Sequence, residues 1–199
     1  MRFSLHEVLL FMLEVDFGVF PELHTERLIL KEITESDAPE LFALRSNEAV
    51  MKYIDRPRPK DLEDILALIR KMHQMRIDGV GITWGIYLKD RPKYKIGNIG
   101  LFRIIHEHYR AEIGYLLNPD FFKKGIMFEA ITAVTHFGFD SIGLHSIEAN
   151  INPANEASRS LLTKAGFERE AYFKENYRFN GEFIDSEIYS LLNQSGRMS

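Results

Sequence analysis

The sequence predicts an α+β fold built on a mixed, mostly antiparallel sheet flanked by helices, and three observations carry that expectation. Residues 82–117 form a long run of period-two segments, the signature of adjacent strands in a meander. Beyond them strand and helix patterns alternate, which demands at least one crossover. Finally, Asn180-Gly181 stands between two strand-like segments, a strong signal for a tight hairpin. A chain of 199 residues suits one good core. Residues 23–193 therefore read as one domain, with 1–22 as an N-terminal extension and 194–199 as a polar tail.

In chain order, the first pattern is helical. Residues 36–46 place Ala38, Leu41, Phe42 and Leu44 on one face, with Ser36 as N-cap. Residues 60–77 repeat Leu62, Ile65, Leu66, Ile69, Met72 and Met75 at three and four spacing, and Pro59 marks the entry. The period then changes to two in ITWGIYL and YKIGNIGLFRI, separated by the turn KDRPK, and residues 109–117 continue the meander. A helix is expected over 125–140, a strand over 146–151, and a second helix over 155–165, capped by Asn155 and closed by Gly166. Two strands joined at Asn180-Gly181 finish the domain.

Composition removes several classes of function. The chain is 45% hydrophobic and 27% charged with a formal net charge of -4, which argues against non-specific binding to nucleic acid. It has no cysteine, so disulfides, a thiolate nucleophile and Cys-based zinc sites are excluded; a cytoplasmic setting is expected. Val8 to Leu13 is a run of six apolar residues, too short for a signal-peptide core and far below the about 20 that span a membrane. Met12 is an alternative start, with core burial expected to begin nearer Phe20. His106-Glu107-His108 reads as an exposed turn rather than a metal cluster.

Residues 121–130, FFKKGIMFEA, read as a turn closing into a helix whose first N–H groups and partial positive charge suit a pyrophosphate, with Lys123 and Lys124 beside Gly125. AEIGYLLNP precedes this segment; SIEANI and NPANEASRSLLTKAGF follow it. HTERLILKEITESDAPELFAL, Trp84 in ITWGIYL, and IGNIGL come earlier. This ordered set resembles the GCN5-related N-acetyltransferase superfamily, most closely its ribosomal-protein N-terminal acetyltransferase branch, over about residues 23–192. The superfamily loop Gln/Arg-x-x-Gly-x-Gly/Ala falls on Phe122, Lys123, Lys124, Gly125, Ile126 and Met127. Only Gly125 fits the strict pattern, and Lys123 sits where a second glycine is common.

The resemblance implies acetyl-CoA as cosubstrate, no metal, and direct transfer to an amine without a covalent enzyme intermediate. It places the pyrophosphate on Phe122 to Met127, the pantetheine arm along splayed backbone at Leu116 and Leu117, and a further contact at Asn155. Glu112 matches the general base of histone-type members. Strand alternation puts it on one face with Gly114 and Leu116. Many members carry a tyrosine that assists the leaving thiolate on the helix here written NEASRSLLTKAGF; Ser158 is its expected substitute. Trp84, Tyr53 and Tyr115 are readable as acceptor-cleft aromatics or as core. The acceptor is expected to be a protein N-terminal α-amine of Ala or Ser type, with a small amine such as a polyamine, aminoglycoside or amino acid, or a non-catalytic acyl-CoA-binding module, as alternatives. A monomer or homodimer is expected, with neither nucleic acid nor membrane as partner.

Overall fold

The computed structural model describes residues 13–194. The strands are β1 (Leu23–His24), β2 (Leu28–Glu32), β3 (Ile82–Leu88), β4 (Arg91–Ile105), β5 (Arg110–Leu117), β6 (Ser146–Ile151), β7 (Glu168–Phe179) and β8 (Glu182–Leu192). The helices are α1 (Ala38–Ser46), α2 (Glu48–Met51), α3 (Leu62–Ile77), α4 (Ile126–His136) and α5 (Glu156–Lys164). One eight-stranded sheet runs β1-β2-β3-β4-β5-β6-β8-β7. Every neighbouring pair is antiparallel except β5 with β6. The mixed, mostly antiparallel sheet with flanking helices is the fold the period-two runs predict.

Strand alternation divides the side chains between two layers. Ile82, Trp84 and Ile86 on β3 and Ile96, Ile99 and Leu101 on β4 join Ile126, Ala130, Ile131 and Val134 of α4 and Leu162 of α5 in the main core. On the other face, Leu41 of α1 packs with Ile65, Ile69 and Met72 of α3, and Leu44 and Met51 pack on Leu116 of β5. Trp84 is fully buried, donates its Nε1–H to Pro21 O at 2.7 Å, and meets Phe20 and Phe137 edge-on. It is a core residue and lines no acceptor cleft.

Several boundaries differ from expectation for identifiable reasons. The sequence patterns singled out no strand before residue 36, where Leu28 and Leu30 alternate into the core on β2. The β3–β4 turn shrinks to Lys89-Asp90 because Leu88 pairs directly with Arg91, leaving Pro92 near the end of a long strand where its missing N–H is tolerated. Helix α3 begins two residues into the expected pattern, with Asp61 capping Asp64 N. The helix expected to 140 ends at His136 and loosens into a π turn over Phe137–Ile142. Asn180 (φ 48°) and Gly181 (φ 91°) are both left-handed, as a tight hairpin turn requires. Burial begins earlier than Phe20: Leu13 and Phe17 lie in the main core, and Leu13 N donates to His106 O at 3.1 Å. Met12 and the apolar residues before it lie outside the described residues.

Candidate active site

The parallel pair is the feature that builds the site. β5 pairs with β6 only at Arg110–Ser146, Ala111–Ile147 and Glu112–Glu148. From Ile113 onward β5 keeps its partner β4 while β6 leaves. Alternate backbone N–H and C=O groups between Ile113 and Leu117 therefore point into a gap without a strand to receive them. The parting starts just after Glu112, earlier than the expected position at Leu116 and Leu117, and both leucines lie within the parted stretch.

At the end of β5 the chain turns through Pro119–Phe121 and enters the loop before α4. Phe122 is extended and 44% exposed, Lys123 is left-handed (φ 58°), and Gly125 is left-handed (φ 73°) at the N-cap. Lys123 thus adopts the backbone form that a glycine would take at little cost, which explains how the loop closes without the second glycine. The first helical backbone bond is Glu129 N to Gly125 O at 3.1 Å, and no side chain caps Gly125. The N–H groups of Ile126, Met127 and Phe128 consequently face outward, while the Ile126 and Met127 side chains are buried and root the helix. A Cβ on Gly125 would meet Arg27 at 3.4 Å.

Arg27 belongs to a clamp that sequence reasoning did not find. Its Nε donates to Glu129 Oε2 at 2.7 Å, its backbone N to Glu129 Oε1 at 2.8 Å, and its Nη1 to Lys124 O at 2.9 Å; Thr25 Oγ1 also donates to Glu129. Burial alone would raise the Glu129 carboxyl. The hydrogen bonds from Thr25 and Arg27, with the Arg27 charge, hold it below the ordinary range. The clamp ties the start of β2 to the phosphate-type loop.

Glu112 sits on the opposite face from Ile113, Tyr115 and Leu117. Its side chain is 23% exposed, and Arg103 Nη1 approaches Oε2 at 3.2 Å. Arg103 is left-handed (φ 48°) at a bulge where β4 slips between Phe102 and Ile105, and that kink aims its side chain across to β5. Burial pushes the Glu112 carboxyl above its ordinary range; Arg103 opposes the shift and neighbouring Glu148 adds to it. Glu148 is itself paired with Arg110 at 2.6 Å.

On the α4 and α5 face, Tyr115 Oη and Ser158 Oγ share a hydrogen bond at 2.7 Å, and Ser158 is buried rather than exposed. Burial pushes the Tyr115 hydroxyl up to about 12, with the Ser158 bond opposing, so it stays a protonated donor. Tyr115 of β5 thus brings a tyrosine hydroxyl to the start of α5, which has none of its own. Asn155 Oδ1 accepts Ser158 N at 3.1 Å, so its oxygen is committed to the helix cap. His106–His108 form the expected short turn, with His106 Nε2 on Gly79 O. Among the described residues no group of three His, Asp or Glu side chains is placed to hold a metal, and no helix is long and apolar enough to cross a membrane.

A helix N-terminus beside two parted parallel strands, with titratable groups on both sides of the gap, is suited to holding a phosphate-bearing ligand and moving a proton beside it. Residues 27–168 match the family model described as an Acetyltransferase (GNAT) domain. The chain is 37% identical over 174 residues to the Bacillus subtilis (strain 168) protein described as uncharacterized N-acetyltransferase YoaA, covering 87% of this chain and 98% of that one. It is 28% identical over 177 residues to the Escherichia coli (strain K12) [ribosomal protein uS5]-alanine N-acetyltransferase, covering 85% and 89%. A crystal structure of a GNAT-family acetyltransferase from Bacillus anthracis superposes with a TM-score of 0.76 at 28% identity, over 86% and 98% of the two chains. The chain belongs to the GNAT acetyltransferase family, and it is an N-acetyltransferase.

Proposed function

We propose that this enzyme transfers the acetyl group of acetyl-CoA directly to the α-amine of a protein or peptide N-terminus, as expected for the ribosomal-protein branch. The observation that carries the reading is the placement of Glu112 at the last paired position before β5 and β6 part. A base there reaches an acceptor on one face of the sheet, while the helix N-terminus and the Tyr115–Ser158 pair serve a donor on the other. The name of the 28% identical Escherichia coli relative supports an N-terminal alanine acceptor.

Acetyl-CoA is the acetyl donor, and bound here it supplies a thioester whose thiol is a good leaving group. The backbone N–H groups of Ile126, Met127 and Phe128, with Lys123, Lys124 and the Phe122 and Gly125 backbone, hold the pyrophosphate. Leu116 and Leu117 offer backbone groups to the pantetheine amides, and Asn155 borders the same channel. Glu112 accepts a proton from the acceptor's ammonium, directly or through water, so that the neutral amine attacks the thioester carbonyl; its raised pKa brings it closer to an α-amine of about 7.7 to 8 than an ordinary carboxylate would be. Within the Tyr115–Ser158 pair one hydroxyl donates to the other, and the remaining proton is donated where thiolate charge develops. A backbone N–H in the parted stretch polarises the carbonyl.

The test is acetylation of peptides beginning with Ala or Ser, of internal lysines and of spermidine, followed by CoA release and mass spectrometry. Acetyl at the peptide α-amine with higher kcat/KM than on lysine or spermidine is expected. A clear preference for spermidine or a lysine side chain would remove the N-terminal reading and leave the acetyltransferase intact.

A further inference from the structure

Arg45 and Arg56 stand beside the acceptor face without partners. Leu44 of α1, Met51 of α2 and the following Ile54 pack on Leu116, so the segment from 45 to 56 overlies the Glu112 face of β5. Its far end is tied down by Tyr177 of β7, whose hydroxyl donates to Asp55. Arg56 follows Asp55 directly, and its charge acts on Glu112, on Tyr177 and on Arg45. Among the described residues, neither the Arg45 nor the Arg56 guanidinium makes an ion pair or hydrogen bond.

Four carboxylates of the surrounding elements are engaged elsewhere. Asp55 accepts from Tyr177, Glu148 pairs with Arg110 at 2.6 Å, Glu112 with Arg103 at 3.2 Å, and Glu48 with Arg58 at 3.6 Å. Arg45 is half-buried, and both that burial and the adjacent Arg56 charge work against its guanidinium. Two like charges held together with no directly paired carboxylate form a place where an anion is stabilised, and the guanidinium fork fits a carboxylate better than any other common biological anion of that size except phosphate.

We propose that the acceptor carries a carboxylate close to its amino group, and that Arg56 and Arg45 hold that carboxylate while the amine is delivered to Glu112. The inference rests on the α-amine reading above and narrows it. An acidic side chain near a peptide N-terminus and the α-carboxylate of a free amino acid share this chemistry. A polyamine instead brings further positive charge to the arginines and is repelled.

The experiment uses the full chain and acetyl-CoA with peptides beginning Ser-Asp-Glu, Ser-Asn-Gln and Ser-Lys-Lys, with free amino acids and their carboxamides, and with spermidine. Acceptors bearing the carboxylate are expected to exceed their neutral counterparts by at least about tenfold in kcat/KM. Arg56→Gln should shrink that ratio through the acceptor KM, Arg56→Lys should restore part of it, and Arg45→Gln should act in the same direction. Calorimetric titration with acetyl-CoA checks that each variant is folded. Equal rates for acidic and neutral acceptors, or a ratio unmoved by Arg56→Gln and Arg45→Gln, would overturn the inference. The peptide arm against the amino-acid arm identifies the source of the carboxylate. Acid preference with acetyl on a side-chain amine would sustain the inference and end the α-amine reading; α-amine acetylation indifferent to charge would do the reverse.

Discussion

Glu112 carries opposite consequences for turnover and stability. Because burial raises its pKa in the folded protein, the native state keeps the proton to higher pH than the unfolded chain. Stability is therefore full below the unfolded value near about 4.3 and falls as pH rises through the folded one. Glu112→Gln removes both the proposed base and that loss. The expected outcome is a fall in kcat of about a hundredfold or more, with loss of the acid limb of the pH profile and little change in acetyl-CoA affinity. Wild-type kinetics from pH 6 to 9, tested in the same range as a general base of this kind operates, would reduce Glu112 to a structural carboxylate. Lys95 shows the same linkage with the opposite charge. It is 3% exposed, its Nζ has no hydrogen-bond partner, and burial lowers its pKa to about 8 against the stabilising pull of Asp37 and Glu40. The native state thus releases the proton first, so stability rises between pH 8 and the unfolded value of 10.5. Lys95→Met should stabilise the protein at neutral pH by up to about 3 kcal/mol. That gain should shrink above pH 8. Thermal melts across this range would show it, and a melting temperature lowered at every pH would contradict it.

At the level of elements, the loop before α4 depends on β2. Arg27 bonds Glu129 and the Lys124 carbonyl together, so the loop is held from beneath by a strand distant in sequence. Arg27→Gln should raise the acetyl-CoA KM several-fold with kcat nearly unchanged, since it moves the cradle and touches no reacting atom. Steady-state kinetics decides this, and an equal drop in kcat would relocate Arg27 to the chemistry. Such a clamp leaves no local mark in the sequence: Arg27 and Glu129 are 102 residues apart. The period-two runs, the α5 cap at Asn155 and the Asn180-Gly181 turn were legible because each rests on local patterning or local φ requirements. β2 was missed because its alternation is only five residues long, and α2 because it is a single turn. The left-handed Lys123 could not be read either, since a lysine carries no signal for positive φ. Glu112 and Ser158 are singled out as candidates by resemblance alone, whereas the Tyr115–Ser158 bond depends on β5 and α5 meeting across the fold.

Across the molecule, the segment before β1 is part of the core. Phe17 is 6% exposed within the main cluster, so Phe17→Ala should cost about 3–5 kcal/mol. Chemical denaturation would measure the loss, and a change under 1 kcal/mol, far below the usual about 3 for such a truncation, would show that this segment packs loosely. The two-layer construction has a further consequence for inhibitors. Leu116 belongs to the α1 and α2 layer and Leu117 to the α4 layer, so the stretch of β5 beyond its pairing with β6 borders both sides of the sheet. A conjugate that joins acceptor to CoA through a two-carbon bridge would have to pass through the sheet, occupying both sides at once. Tethering each half at high effective concentration should make it bind about a hundredfold or more tighter than either half. Lengthening the bridge beyond the span between the two halves should reduce that advantage.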